Sequence, residues 1–225
     1  MTILQEQILE NIRKPLIKFF HRNGQVKVEI ETSRLVIRSY DNSDFENCLA
    51  LYSDPIVTKL FDYGKPFTKE EVLELVLEKG YSFFRKKIPL GLFSIFLKED
   101  MSFVGQVDLM PFTESGTLEI GCILHSRYQG QGIGTEVVMI FLENYIYELN
   151  KRGYKYNGRP FKRVIATAHP KNVASNALIK HLGFTFNRFE ERFGKPRFWY
   201  TYKVPPSSKN LKPSEQFLKY ASVER

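Results

Sequence analysis

Apolar positions along this chain recur with two different periods, and the changes of period mark out its elements. Near the start, Leu4, Ile8, Ile12 and Leu16 are spaced by four, the spacing of one face of an amphipathic helix. A helix is therefore expected over residues 1–22. Pro15 weakens it by lacking a backbone N–H, and it ends near Phe19-Phe20, ahead of His21-Arg22-Asn23-Gly24. From Val26 the pattern shortens, and residues 26–30 and 35–37 read as strands around Glu31-Thr32-Ser33-Arg34. Ser43-Asp44-Phe45-Glu46 and Thr68-Lys69-Glu70-Glu71 are capping signatures, in which hydroxyl and carboxylate satisfy each other's backbone donors. They predict helices running to about Ser53 and Lys86. Strands follow over 90–98, 103–110 and 117–124. A helix over 133–150 carries a broad apolar stripe of Val137, Val138, Phe141, Leu142, Tyr145 and Ile146. A strand over 163–168, a helix over 173–181 closed by Gly183, and a hairpin of 185–193 with 197–204 complete the series, with Gly194-Lys195-Pro196 as its turn.

This order predicts an α/β (α+β) fold. A central mixed, mostly antiparallel sheet of about seven strands is flanked by about four helices, with the N-terminal helix in addition. It is not the strict alternation of a doubly wound nucleotide-binding sheet. The organisation reads as a helical extension over 1–25, one domain over 26–204, and a basic tail over 205–225 opened by Pro205-Pro206-Ser207-Ser208.

Composition adds constraints. The 225 residues are 43% hydrophobic and 26% charged, as in ordinary globular proteins. Cys48 and Cys122 form no framework and no C-x-x-C pair, so neither a disulfide scaffold nor a structural zinc site is expected. No apolar run reaches the length of a membrane span, no signal peptide opens the chain, and a cytoplasmic location is the expectation. The net charge of +8 is uneven. Residues 151–163 hold Lys151, Arg152, Lys155, Arg159, Lys162 and Arg163 without an acidic residue. Such a patch either lies solvated or attracts RNA or a ribosome.

The densest chemical signal is Arg127-Tyr128-Gln129-Gly130-Gln131-Gly132-Ile133-Gly134-Thr135, between a strand and a helix. Glycine N–H groups approach an anion without Cβ obstruction, and a helix N-terminus adds partial positive charge. Arg127 and the Thr135 hydroxyl add charge and a donor. A tight strand-to-helix turn without ligand is the alternative on spacing alone. A P-loop is excluded, because Ile133-Gly134 stands where Lys-Ser/Thr is required. The dinucleotide fingerprint is a poor fit, because the next strand ends in Ala166-Thr167-Ala168-His169 rather than an acid.

Arg127-x-x-Gly130-x-Gly132 in this position resembles the acetyl-CoA pyrophosphate loop of the GNAT N-acetyltransferases. Three further segments agree, in order, with the branch containing ribosomal-protein N-terminal acetyltransferases (RimJ/RimL-like). They are Glu31 to Arg38, Leu118-Glu119-Ile120-Gly121-Cys122-Ile123-Leu124, and Asn172-Val173-Ala174-Ser175 with His181-Leu182-Gly183-Phe184. The resemblance covers roughly 27–204. His125-Ser126 departs from the branch's usual proline-containing sequence before the loop, and the 151–163 connection is longer than typical.

The resemblance implies acetyl-CoA as cosubstrate and direct transfer to a primary amine in a ternary complex, without a metal. Its cradle would be Arg127, Gln129, Gly130, Gln131, Gly132, Ile133, Gly134 and Thr135, chiefly through backbone N–H. The pantetheine arm would run along Cys122, Ile123 and Leu124, where the Ile123 N–H can meet the thioester oxygen. Asn172 would touch the arm and Ser175 the departing thiolate; otherwise both are ordinary residues of a helix start. Glu119 is the candidate general base, unless it only pairs with a nearby Arg or Lys. Cys122 reads as a small buried hydrophobe rather than a nucleophile. Tyr128 and Trp199 read as packing residues. The expected acceptor is a protein or peptide N-terminus. The alternatives are a polyamine, aminoglycoside or amino sugar, approached past Glu70, Glu71, Glu74 and Glu78, or a non-catalytic CoA module binding RNA or ribosomes through 151–163. A monomer or homodimer is expected.

Overall fold

The computed structural model describes residues 15–205. Its first element departs from expectation. Leu16–Arg22 is a strand (β1) paired antiparallel with Gln25–Glu31 (β2), in continuous register from Leu16↔Glu31 to Arg22↔Gln25. A spacing of four is also a multiple of two, so Leu16 fits either period. The turn decides the matter. Asn23 and Gly24 both take left-handed φ, 52° and 73°, as a two-residue hairpin requires, and Asn-Gly is its strongest sequence signal. Phe19 then stacks between Tyr145 and Tyr154, with centroids at 6.0 and 6.3 Å. Leu4, Ile8 and Ile12 lie outside the described residues.

The following elements are Leu35–Ser39 (β3), Phe45–Tyr52 (α1), the short Pro55–Thr58 (α2), Lys69–Arg85 (α3), Gly91–Leu97 (β4), Phe103–Pro111 (β5) and Thr117–Leu124 (β6). The helical stretch after the glycine loop is continuous but not uniform. Ile133–Met139 (α4) passes through a π-helical turn, Ile140–Tyr145, into Ile146–Lys151 (α5). Arg163–Ala168 (β7), Val173–His181 (α6), Thr185–Arg192 (β8) and Lys195–Lys203 (β9) complete the fold. The last hairpin turns at Phe193-Gly194, both at positive φ, one residue earlier than its Lys-Pro suggests. The capping box at Thr68/Glu71 forms as expected. The earlier one is shifted: Asp41 and Asp44 cap each other's backbone in place of Ser43 and Glu46.

All nine strands form one sheet, in the order β1-β2-β3-β4-β5-β6-β7-β9-β8. Nine exceeds the expected number of about seven; the strand that was not expected is β1, which stands where the spacing predicts a helix. Every neighbouring pair is antiparallel except β6 and β7. Two cores lie on the sheet. One joins Ile37, Phe93, Val107, Leu109, Leu118 and Ile120 to Val137, Phe141 and Ile146 of the long helical stretch. The other sets Val36, Leu92, Phe96 and Ile123 against Cys48, Leu51, Val72 and Val76 of α1 and α3.

Only Thr117↔Arg163, Leu118↔Val164 and Glu119↔Ile165 link the parallel pair. Beyond them β6 continues to Leu124 and β7 to Ala168 without pairing, so the two strands separate toward their C-terminal ends. The gap is bounded by the starts of α4 and α6.

Glu143, on the π-helical turn, is 8% exposed, and burial pushes its carboxyl from 4.5 up to about 7. A raised folded-state value means that the ionised form is penalised. Stability should therefore fall as pH rises from about 4.5 to 7 and stay low above it. Glu143→Gln should remove that slope and stabilise the fold at pH 8 by on the order of 3 kcal/mol, as read by denaturant melts at pH 5 and 8.

Candidate active site

After β6 the chain makes a short 3-10 turn, Ser126–Tyr128, and reaches α4 through Gly130 and Gly132, at φ 73° and 72°. Both are left-handed conformations that glycine adopts without a Cβ penalty. A Cβ on Gly130 would meet nothing within 4 Å, so the space over the loop is open. Within the loop, Tyr128 N–H donates to the His125 carbonyl (2.9 Å) and Gln129 N–H to that of Ser126 (3.2 Å). Glu136 N–H donates to the Gly132 carbonyl (3.0 Å), and none of these backbone bonds uses an N–H from Gly130 through Thr135. Gln129, expected to offer its N–H to a ligand, has it committed inside the turn.

Side chains hold this geometry. Gln129 Nε2 donates to the Leu124 carbonyl (3.0 Å) and Gln131 Nε2 to that of Arg127 (2.8 Å). Arg34, just before β3, donates Nε to the fully buried Glu136 carboxylate (2.6 Å) and Nη1 to the Gln131 carbonyl (3.1 Å). Sequence reading gave Arg34 no role, because its partners lie about a hundred residues away. Gly134 serves packing: a Cβ there would fall 3.2 Å from Leu178 of α6 and 3.7 Å from Leu124. The Arg127 guanidinium lies over the Tyr128 ring at 4.7 Å.

Across the gap, Asn172 caps α6, its Oδ1 accepting from Ser175 N–H at 3.1 Å. Asn176 Nδ2 donates to the carbonyls of His169 (2.9 Å) and Asn172 (2.8 Å), and its Oδ1 accepts from Tyr200 OH (2.8 Å). This buried asparagine, overlooked in the sequence, fixes the corner that presents Asn172 and Ser175. On β6, burial and then Asp108 push the Cys122 thiol up to about 12. It stays protonated and is no nucleophile.

Alternation along β6 turns Glu119, Gly121 and Ile123 toward the α1/α3 side. Glu119 accepts from both terminal nitrogens of Arg192 in β8, Nη2 at 3.1 Å. Asp108 of β5 stands opposite Gly121. Its Oδ1 would lie 2.5 Å from a Cβ on Gly121, so only glycine lets the carboxylate sit there. Lys79 of α3 reaches Asp108 at 3.2 Å. Burial opposes the Lys79 charge, but Asp108 and Asp62 outweigh it and hold the ammonium protonated. The Tyr52 hydroxyl is kept well above its ordinary range by burial, then by Asp108, Cys48, Asp62 and Cys122. Arg197 of β9 donates Nη2 to the Asp62 carbonyl (2.8 Å) and Nη1 to that of Leu60 (3.4 Å), tying the loop after α2 to the sheet. Tyr63 of that loop packs edge-on against Phe193 at 5.3 Å. Trp199 is buried between Arg188 and Arg192, at 4.3 and 5.3 Å.

Glu70, Glu74 and Glu78 are exposed on α3, and Lys79 is the charge this helix sends inward. In the basic stretch, Lys151 and Arg152 pair with Glu148, and Arg163 with Glu114, so its charge is partly compensated. Among the described residues no group of three or more His, Cys, Asp or Glu is placed to hold a metal. None of the described helices is long and apolar enough to cross a membrane.

The site is thus a sheet parted beside a glycine loop, with a second helix start across the gap. Residues 34–185 match the model of the acetyltransferase (GNAT) domain, and the chain belongs to that family. It is 27% identical over 156 residues to an uncharacterised N-acetyltransferase, YnaD, of Bacillus subtilis (strain 168), covering 69% of this chain and 82% of YnaD. Its fold is similar to RimL, a ribosomal L7/L12 alpha-N-protein acetyltransferase, with TM-score 0.62 and 19% identity over 83% of this chain and all of RimL. It is likewise similar to spermidine N-acetyltransferase from Vibrio cholerae in complex with CoA and spermine, with TM-score 0.60 and 14% identity over 83% of this chain and 99% of that one. The protein is an acetyl-CoA-dependent acetyltransferase. The free N–H groups from Gly130 to Thr135 and the open space over Gly130 fit a pyrophosphate.

Gly130→Ala tests the cradle directly. Left-handed φ costs a non-glycine residue about 1–2 kcal/mol, and a methyl would stand where the pyrophosphate approaches. CoA affinity measured by calorimetry should fall at least ~10-fold, with the melting temperature lowered only modestly. An unchanged affinity would place the cofactor elsewhere.

Proposed function

We propose that this enzyme transfers acetyl to the α-amino group of a protein or peptide, in the manner of the ribosomal-protein N-terminal acetyltransferases. One observation carries the choice: the groove on the α1/α3 face is charge-balanced. Asp62, Asp108 and Glu119 are set against Lys79, Arg192 and Arg197. A polycation would gain most from an excess of carboxylates, whereas a single ammonium beside dipolar peptide groups suits alternating charge.

In this reading the N–H groups of Gly130, Gln131, Gly132, Ile133, Gly134 and Thr135, with Arg127, hold the pyrophosphate. The Gln129 side chain braces the loop through Leu124. The edge of β6 at Cys122, Ile123 and Leu124, unpaired on the β7 side, takes the pantetheine arm. The register that sets the His125 N–H on the Val104 carbonyl also turns the Ile123 N–H toward β5, so the expected Ile123 donor is replaced. The Cys122 and Leu124 N–H groups face the gap, where negative charge grows on the thioester oxygen during attack. Asn172 spends its Oδ1 on the cap and offers its amide donors to the arm. Ser175 gives a hydroxyl hydrogen bond to the leaving thiolate. Glu119 aligns Arg192 against the acceptor, and it acts as a base only after exchanging that partner.

A small amine is the second reading, supported by the exposed Glu70, Glu74 and Glu78 on α3 and by the fold shared with the spermidine enzyme. Purified protein with acetyl-CoA should be offered a Ser-initiated peptide and, separately, spermidine, with products identified by mass spectrometry. The proposal expects acetylation at the peptide's α-amine with kcat/KM at least ~10-fold above that for spermidine. The reverse order would select the small-amine reading.

A further inference from the structure

We infer that Asp62 is the group that accepts the acceptor amine's proton. Three carboxylates stand in the groove, and two are already engaged, Glu119 by Arg192 and Asp108 by Lys79. The Asp62 carboxylate makes no hydrogen bond or ion pair among the described residues, although the residue is half-buried. A half-buried carboxylate usually finds a donor, and one kept free beside a reaction site is available for a substrate proton.

Its placement is enforced rather than relaxed. Asp62 sits at φ 28°, a strained value for a residue with a side chain, of a kind that persists only when the surroundings hold it. They do so here through the backbone: Arg197 grips the carbonyls of Leu60 and Asp62, and Tyr63 is clasped by Phe193. The charged groups that act on Asp62 come from four elements. They are Lys79 from α3, Asp108 from β5, Arg192 from β8 and Arg197 from β9. Burial raises the Asp62 carboxyl above its ordinary range, Lys79 opposes the rise and Asp108 adds to it, which moves the group toward the working pH of a base. Asp108 in turn covers Gly121, next to Cys122 where the acetyl group is proposed to lie. The assignment rests on acyl transfer to an amine and not on whether the amine belongs to a peptide.

The step balances as follows. The amine nitrogen bonds to the acetyl carbon, the carbon–sulfur bond breaks, and its electron pair leaves on sulfur. The proton lost by nitrogen passes to the Asp62 carboxylate and from there to water. The thiolate regains a proton from water through the Ser175 hydroxyl.

The test compares wild type, Asp62→Asn and Glu119→Gln, using whichever of the Ser-initiated peptide and spermidine the wild type acetylates. For Asp62→Asn, kcat/KM should fall by about 10²–10⁴-fold. Its acid limb should disappear from the pH profile, and activity should recover as pH approaches the amine's own pKa. CoA affinity should be unchanged. The melting temperature should not fall, because asparagine tolerates left-handed φ and removes a penalised charge. Carbon-13 NMR titration of the unliganded protein should show one aspartate carboxyl above the ordinary range that is absent in Asp62→Asn. A wild-type acid limb retained in Asp62→Asn but lost in Glu119→Gln would overturn the assignment and leave acyl transfer standing. Wild type that acetylates neither probe would overturn the acyl-transfer reading at this groove and the assignment with it.

Discussion

Everything at this site depends on how little β6 and β7 share. Three residue pairs hold them parallel, and past Glu119 and Ile165 each strand keeps only its outer neighbour. An unpaired strand edge inside a sheet is costly to leave empty, because its backbone polar groups need partners. Here it is kept open where two helices begin, so the same gap offers strand-like hydrogen bonds from β6 and the N–H groups of the glycine loop, which no other described residue takes. The long apolar helical stretch and the Phe93–Phe141–Tyr145 aromatic cluster brace the sheet behind the gap, so the cleft does not close by collapse.

The two halves of the site are built by different means. The donor half is local: Leu124, the turn Ser126–Tyr128 and the glycines follow one another in sequence, and glutamine side chains fasten the loop to carbonyls five and four residues earlier. The acceptor half is assembled from a loop after α2, one lysine on α3, one aspartate on β5 and the β8–β9 hairpin. Its polar contacts span separations of 29 to 137 residues. That contrast also explains what the sequence could reveal. Arg127-x-x-Gly130-x-Gly132 and Asn172-x-x-Ser175 are short strings whose geometry is set by their own backbone, so they were legible. Arg192 opposite Glu119 and Asp62 opposite Lys79 have no local signature. Asp108, a lone carboxylate within an otherwise uncharged strand, does carry a sign in the sequence, yet sequence reading gave it no role.

The same distinction holds for the fold. Thr68 and Glu71 cap α3 as their spacing demands, and the strands from Gly91 to Leu124 fall where the apolar runs between polar breaks put them. Misreading arose where one pattern served two periods, at Leu16, and where a better cap stood nearby. Asp44 binds Arg38 at 2.6 Å and Ser94 at 2.9 Å while returning a bond to Asp41. Those tertiary partners draw the start of the helix onto aspartates and away from Ser43. The π-helical turn inside Ile133–Lys151 has no sequence sign at all, because a helix with one widened turn keeps the same apolar stripe.

β8 lies at the margin of the sheet, hydrogen-bonded to β9 alone, with nearly every residue exposed. Strands in that position open at a small fraction of the global unfolding free energy. Arg192 and the Phe193 turn, which close one wall of the acceptor groove, are carried at the end of this strand, whereas the glycine loop is anchored through Arg34 and Glu136 to the interior. Fraying at the margin therefore loosens the wall on the acceptor side while the glycine loop stays rigid, so that entry for an acceptor is separated mechanically from retention of the donor.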